Sequence, residues 1–424
     1  MIRILATVSL FASLLVYSGY SILCMVDDEP RKLLAMLSSP DEKIRKESLK
    51  QLRDYDFYAK DIYFIQKAIL KDYADDKEEW GSTRSELFGL LRSFGNSDTV
   101  DFIAENFSRL PVNKDIRSSA LCVLSEINTA ESVNTLLKIL AEQQGAGAMN
   151  FYTILYPFYE KTSNANILFP GLLAFLKDKG YDDAIYALSI SYRDKKIVDP
   201  SMFASFRQQA VNDYNSALKE RNSKKNSTEE PYVYYELGYT METILDFLGS
   251  FPGDSQVLDV LNKSIEKDVE PGFRMYSALS LIRMGEAVPA EVLKGIAAMP
   301  EFRISLYNLL EKLGKHKLFP LEYHNQYYFA EADMVGWLSD EFDGPPEKIE
   351  LVQSRIVKVD NENCRVFLFR YYYPEEEGWL AGLSGPQPLN PLEISTAGSL
   401  TCSDFCRMDD VSVEEHFSRF LDKK

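Results

Sequence analysis

The chain has 424 residues, of which 46% are hydrophobic, and its formal net charge is −17 at pH 7. That hydrophobic fraction is enough to bury a large core, so global disorder is excluded. The acidic balance argues against a nucleic-acid-binding protein, which needs clustered lysines and arginines, and against attraction to anionic membrane surfaces.

Residues 1–26 form an apolar segment with a single basic residue, Arg3, near its start. A basic start followed by an uncharged stretch, here residues 4–26, is typical of a secretory signal peptide. The stretch is also long enough for an uncleaved membrane anchor, since about 20 apolar residues span a bilayer. Cys24 is a candidate lipidation site, although Leu23 stands where the bacterial lipoprotein pattern has a small residue. All three alternatives place the rest of the chain outside the cytoplasm.

A short phrase built around an arginine recurs along the chain, as IRKESLKQL at 44–52, IRSSALCVL at 116–124 and FRMYSALSL at 273–281. Mainly apolar or small residues lie one before and three, four and seven after the arginine, which is one face of a helix. The five arginines that align are Arg45, Arg84, Arg117, Arg274 and Arg303. Each phrase follows another amphipathic segment, so the pattern predicts a series of helix pairs.

The spacing of these phrases predicts a helical repeat array. Neighbouring copies are 39, 33 and 29 residues apart. One helix pair cannot bury its apolar stripe alone, so stacked pairs must complete each other's core in an α-solenoid. The phrases resemble HEAT repeats, most closely at residues 41–52, and the resemblance implies that the arginines tie neighbouring repeats together. We therefore expect a mainly α fold, with a right-handed α-solenoid of about eight helix pairs over residues 27–318.

The resemblance is good over residues 30–143 and 254–314 and weaker between them. There, residues 165–178 and 232–251 keep a helical periodicity but lack the arginine. The polar stretch KERNSKKNSTEEP at 219–231 predicts an exposed loop, in which a basic run beginning at Arg221 is solvated.

Residues 319–424 have a different pattern, which predicts a small α+β domain. A helix over 330–341 precedes two strands rich in β-branched and aromatic residues, at 349–359 and 366–373. Residues 379–385 are a candidate third strand. We expect an antiparallel meander, followed by a last helix that starts at Ser412.

Aromatic residues of this tail are the candidate recognition surface. Tyr371, Tyr372 and Tyr373 must face both sides of their strand, and Trp379 and Trp337 are further candidates. Because aromatic residues are favoured at interfaces, one face is a candidate binding surface for a protein or peptide. The alternative, which we favour, is that one face packs on the helix and the other covers the open end of the solenoid.

Four cysteines follow the N-terminal segment, and export would place them in an oxidising compartment. Cys122 lies in an apolar helical pattern, which predicts a buried thiol. Cys402, Cys406 and Cys364 are candidates for a disulfide whose pairing the sequence leaves open. A zinc site is not predicted, since Cys402 and Cys406 lack a second ligand pair nearby.

The sequence contains no recognisable catalytic constellation. Its histidines, His316, His324 and His416, have neither metal-site nor triad spacing, and the acidic run Glu375–Glu377 lacks the alternation of a calcium loop. We therefore predict a non-enzymatic scaffold without cofactor or metal, which binds a protein or peptide on a concave helical surface. The sequence sets no oligomeric state.

Two alternatives stay open. One is an inhibitor or immunity-type protein, because a strong negative charge speeds association with a basic target. The other is a small-ligand or catalytic module in the tail, with Tyr371, Trp379, Glu375 and His324 as contributors. A deep polar cleft between the tail and the last repeat would favour the second alternative.

Overall fold

The computed structural model describes residues 29–78, 80–142, 149–179, 182–197, 200–225, 231–342, 344–359, 362–396 and 399–421. The predicted signal or anchor segment, with Cys24, lies outside these residues. Within them the protein is mainly helical and ends in an antiparallel sheet, as predicted. In the same ranges, each helix is too short or too polar to cross a membrane.

The chain divides into two compact units: unit 1 ends at Met202, and unit 2 begins at Phe203. The helices of unit 1 are α1 (Glu29–Met36), α2 (Glu42–Arg53), α3 (Ile62–Ile69), α4 (Thr83–Leu91), α5 (Ser97–Asn106), α6 (Lys114–Ile127), α7 (Ala130–Glu142), α8 (Phe151–Leu155), α9 (Ala165–Lys179) and α10 (Asp183–Asp194).

Helices of unit 1 pack both on the next helix and on the helix after that. Thus α6 contacts α4, α7 and α8, while α7 also contacts α5 and α9. The side chains that pack between these helices are fully buried, among them Ile116, Leu121 and Leu124 of α6. The ends of α6 follow local chemistry: Asn113 Oδ1 accepts from Ile116 N at the start, and Asn128 takes a left-handed conformation at the end.

Unit 2 continues with paired helices before the sheet. Its helices are α11 (Arg207–Lys224), α12 (Pro231–Leu248), α13 (Ser255–Ser264), α14 (Pro271–Met284), α15 (Ala290–Ala297), α16 (Pro300–Lys312), α17 (Gln326–Phe342) and α18 (Val413–Leu421). Its strands are β1 (Lys348–Val359), β2 (Glu362–Tyr372), β3 (Leu380–Gln387) and β4 (Cys402–Arg407).

The packing within unit 2 follows the same rule as in unit 1. Helix α12 contacts α11 and α14, and α14 contacts α13, α15 and α16. The predicted loop over 219–231 is wrong in its first part, because α11 continues to Lys224 and Arg221 is buried rather than solvated. The contacts of Arg221, described below, are the physical reason.

The sheet has the order β1-β2-β3-β4, with every neighbouring pair antiparallel. Three of these strands lie where the sequence predicts them, and β4 is additional. Phe405 in β4 has a left-handed backbone, with φ of 55°, and its side chain is exposed. The last helix begins after Ser412, whose Oγ accepts from Glu415 N at 3.2 Å.

Helix α17 lies between the last paired helices and the sheet. It contacts α16 on one side and β2 and β3 on the other. Met334 and Leu338 pack in one cluster with Phe369 and Tyr371 of β2. The boundary predicted between residues 318 and 319 therefore falls inside unit 2, where the change from helices to sheet takes place.

Replacement of Leu121 by alanine is expected to lower the free energy of unfolding by about 2–5 kcal/mol, because the cavity left in a fully buried position cannot be filled. Leu392→Ala is the matched control, since its side chain is 84% exposed. Urea unfolding of both full-length variants measures the difference. Equal effects of the two substitutions would contradict the burial of Leu121.

Candidate functional site

The five recurring arginines all lie in the first turns of helices. Arg45, Arg84, Arg117, Arg274 and Arg303 belong respectively to α2, α4, α6, α14 and α16. Four of them donate to backbone carbonyl oxygens at or just after the end of the preceding helix. Arg45 Nη1 lies 3.0 Å from Ser39 O, Arg117 Nε 3.1 Å from Pro111 O and Arg303 Nε 2.7 Å from Ala297 O. Such carbonyl groups have no partner within their own helix, so a cation stabilises them.

Three of these arginines also approach a carboxylate outside their own helix. Arg84 Nη2 lies 2.7 Å from Asp76 Oδ2, and Arg45 Nε lies 3.8 Å from Asp75 Oδ2. Arg303 is 1% exposed and donates to Glu331 Oε2 and to Tyr328 O, each at 2.7 Å. It thereby joins α16 to α17.

Arg274 departs from the pattern, because its guanidinium donates to no carbonyl oxygen among the described residues. Its buried Nε has no hydrogen-bond partner there, as is also true of Nε in Arg45 and Arg84. The contacts of the other four are those of residues that hold helix pairs together. The assignment of all five to a HEAT ladder stays a prediction.

The aromatic residues predicted for recognition divide between two faces of the sheet. Tyr371 and Tyr373 are buried, with Tyr371 Oη 2.7 Å from Ser403 Oγ and Tyr373 Oη donating to Gly344 O at 2.8 Å. Burial removes these two rings from any recognition surface. Tyr372 and Trp379 are half-buried, with ring centroids 6.0 Å apart, and their role stays a prediction.

Trp337, also half-buried, lies beside the exposed Phe405, with ring centroids 6.2 Å apart. The residues named for a catalytic tail lie in different clusters. His324 packs near Tyr307, with centroids 5.5 Å apart, whereas Tyr371 is in the core between α17 and the sheet and Glu375 is in an exposed turn. The structure does not bring these groups into one site.

The candidate cysteines are spread over the sheet. Cys364 lies in β2 with a free thiol, while Cys402 and Cys406 lie in β4. Because β3 separates β2 from β4, Cys364 is about two strand spacings from β4, beyond the Cα separation that a disulfide spans. A bond between Cys402 and Cys406 stays a prediction. In the described residues, no three His, Cys, Asp or Glu side chains cluster as metal ligands.

A line of exposed tyrosines on α12 is the surface that the sequence analysis missed. Tyr232, Tyr235 and Tyr239 are 68%, 65% and 69% exposed, although large aromatic side chains are usually at least half-buried. Their spacing of three and four residues places them on one face of the helix. The same spacing in the sequence YVYYELGY was the available signal. The opposite side of α12 carries the buried Leu237, Met241, Ile244 and Leu248.

An ion pair between the buried Arg221 and the solvent-exposed Glu270 anchors this helix. Arg221 of α11 donates from Nη1 and Nη2 to the two carboxylate oxygens of Glu270, both at 2.8 Å. Its Nε donates to Tyr234 O at 3.1 Å, and its guanidinium lies 3.7 Å from the Tyr234 ring centroid. Glu270 immediately precedes α14. One side chain therefore links three elements, α11, α12 and the start of α14.

A second carboxylate, Glu242, lies where α12 meets α14. A β-carbon at Gly272 would collide with Glu242 Oε1, so the absence of a side chain at residue 272 makes room for this carboxyl group. Burial and repulsion by Glu270 raise the pKa of Glu242 to about 7, against a weaker attraction by Arg221. Burial alone would also raise the pKa of Glu270, but hydrogen bonds from Arg221 and Tyr234 hold it below its usual value.

We define the α12 face as Tyr232, Tyr235, Glu236, Tyr239 and Glu242. It combines exposed aromatic area with negative charge on a helix that is held rigidly from behind. Aromatic rings of this kind supply large contact area at low conformational-entropy cost, which suits recognition of another molecule. Each tyrosine has a polar hydroxyl group and an apolar ring, a combination that suits contact with a protein surface.

No protein-family model, curated protein or solved structure matches this chain.

Arg303→Met is expected to lower the free energy of unfolding by about 3–5 kcal/mol, because Glu331 would keep a buried charge without its cation. Adding Glu331→Met should recover much of that loss. The control is Arg53→Met, which removes an exposed ion pair with Glu86 and should cost less than about 1 kcal/mol. Chemical denaturation of the three variants tests the expectation, and no recovery in the double variant would refute the pairing.

Glu242 should make stability depend on pH. Its folded-state pKa of about 7 lies above the ordinary 4.5, so the folded protein keeps a proton that the unfolded chain has already released. Stability due to this group therefore falls as the pH rises from 4.5 to about 7. Burial, Glu270 and Arg221 set this pKa, and Tyr276 also lies near this carboxyl group.

Glu242→Gln should remove this fall, which amounts to at most about 3 kcal/mol between pH 5 and pH 8. Urea midpoints at the two pH values measure it in wild type and variant. Glu236→Gln on the same helix is the control, since that side chain is exposed and should leave the pH dependence unchanged. An identical pH dependence in wild type and Glu242→Gln would contradict the raised pKa.

Proposed function

We propose that this protein is a non-enzymatic, exported scaffold that binds a protein partner through the α12 face. In this proposal its paired helices form a right-handed α-solenoid of the HEAT type, and residues 1–26 direct export or tether the chain to a membrane. The partner is a protein or peptide.

The packing within each unit supports the solenoid. Sixteen helices, α1 to α16, precede α17 in the described residues, and within each unit several of them contact the second helix along the chain as well as the next one. That is the arrangement by which stacked pairs bury a continuous core. The carbonyl contacts of Arg45, Arg117 and Arg303 add a recurrent polar link to each of their pairs.

The observation that supports a binding function is the exposure of three aligned tyrosines on one helix whose opposite side is buried. Exposed large aromatic side chains in a row mark interaction sites, because isolated exposure is common but aligned exposure is not. Helix α12 is 18 residues long and is packed against α11 and α14. The rings are therefore presented by a preorganised surface, which lowers the entropy cost of binding.

The inhibitor alternative shares this surface, because a blocking protein also binds its target through an exposed aromatic face. The catalytic-tail alternative has less support, since Tyr371 is buried and His324 belongs to a different cluster. We therefore retain protein binding as the function.

A triple variant, Tyr232→Ser, Tyr235→Ser and Tyr239→Ser, tests the proposal. The full-length chain is immobilised and exposed to the extracytoplasmic fraction of its source, and bound proteins are quantified by mass spectrometry. A true partner should be reduced at least about tenfold by the triple variant, as expected when several interface hot spots are lost. The exposed positions of the tyrosines predict unfolding free energies within about 0.5 kcal/mol of wild type for each change.

The matched control replaces three exposed tyrosines of unit 1 by serine. These are Tyr58, Tyr63 and Tyr156. The same partner should bind this control as it binds wild type. Equal capture by wild type and the α12 variant, or the same loss in both variants, would refute the α12 face as the binding surface.

A further inference from the structure

We propose that the α12 face takes a basic peptide segment of its partner, with an arginine or lysine side chain of that segment paired to the Glu242 carboxylate. This inference rests on the proposed function and names the chemistry of the partner. It commits to a cationic segment of a protein rather than to a neutral or acidic one.

The first argument is that the carboxyl group of Glu242 has no partner within the protein, as far as the described residues go. The cation that acts on it, Arg221, is already engaged, because both of its terminal nitrogens donate to Glu270. In the described part of the chain, Glu242 has neither an ion pair nor a hydrogen bond of its own. A buried or half-buried carboxylate without a partner is costly, so a cation brought by a ligand would gain a strong attraction.

The second argument is the aromatic surround. Tyr239 precedes Glu242 by three residues, so the two side chains are neighbours on the helix surface. Tyrosine rings attract ammonium and guanidinium groups through their faces. The protein uses that contact internally, since the Arg221 guanidinium lies 3.7 Å from the ring centroid of Tyr234 on the same helix.

The third argument is charge complementarity over a longer range. Glu236 lies between Tyr235 and Tyr239 and adds negative charge to the face, and the whole chain carries −17. A basic partner would be attracted before contact, whereas an acidic one would be repelled. The negative charge of the α12 face and the net negative charge of the chain therefore both favour a positively charged ligand.

The length of the face favours a peptide over a single small cation. Seven residues separate Tyr232 from Tyr239, which is about 10 Å along a helix with a rise of 1.5 Å per residue. About three residues of extended chain cover that distance. Successive side chains of such a segment can contact successive tyrosines while one basic side chain reaches Glu242.

The test uses a displayed library of random dodecapeptides, selected on the full-length wild-type protein. Peptides that also bind the Tyr232→Ser, Tyr235→Ser, Tyr239→Ser variant are removed, so that only ligands of the α12 face remain. The expected result is enrichment of arginine and lysine at least threefold over the starting library. Synthetic versions of the enriched peptides should bind Glu242→Gln at least tenfold more weakly than wild type.

Two controls sharpen the result. Glu286→Gln removes an exposed carboxylate outside the α12 face and should leave peptide affinity unchanged. Replacing the arginines of an enriched peptide by citrulline keeps the shape of the side chain but removes its charge and replaces one terminal nitrogen by a carbonyl oxygen, and should weaken binding at least tenfold. Enrichment of neutral or acidic peptides, or equal binding to wild type and Glu242→Gln, would overturn the inference.

The outcomes separate this inference from the proposed function. If the native partner depends on the three tyrosines but the enriched peptides are not basic, or none is enriched, protein binding stands and the charge assignment fails. If the native partner is captured equally by wild type and the tyrosine variant, the binding surface itself is refuted.

Discussion

The constraint on which this structure depends is that its helices are too short to be stable alone. Most have between 8 and 18 residues, and each has an apolar side that water would otherwise contact. An isolated helix of such length is marginal, because forming its first turn costs conformational entropy that only later contacts offset. Packing on the next helix and on the one after it supplies those contacts. The order of helices along the chain follows from this need.

Charge is used inside this packing rather than only at the surface. Arg45, Arg117 and Arg303 turn the unpaired carbonyl groups at helix ends into hydrogen-bond acceptors for a cation. Arg221 donates to the carbonyl oxygen of Tyr234 in the first turn of α12 and also neutralises Glu270. Buried charges of this kind tolerate few arrangements, so they fix the angle at which one element meets the next.

The sequence predicted those features that depend on local periodicity. The apolar stripe around Leu49, Leu121 and Leu281 predicted helices, and segments rich in β-branched and aromatic residues predicted β1 and β2; both predictions are confirmed. Local patterns failed where distant partners decide the outcome. A basic run that begins at Arg221 indicates a solvated loop until Glu270, 49 residues away, makes its burial favourable.

The same reason explains what was missed in the candidate site. The tyrosines of α12 look like core residues in a sequence, because aromatic residues at helical spacing usually face inward. Only the three-dimensional packing shows that a second set, including Leu237 and Met241, fills the core instead. Glu242 gave no signal at all, since its position depends on the space left by Gly272 in another helix.

The left-handed backbone at Phe405 affects whether the edge of the sheet can pair with a second copy of the protein. Strand β4 ends the sheet on one side, and a flat border strand offers unpaired amide and carbonyl groups to any other extended chain. A φ of 55° in the middle of that strand interrupts the regular row of amide and carbonyl groups to which a strand of another molecule would have to pair. Irregular edge strands of this kind disfavour pairing between the sheets of two molecules. We therefore expect the β4 edge of unit 2 to disfavour fibril-like association.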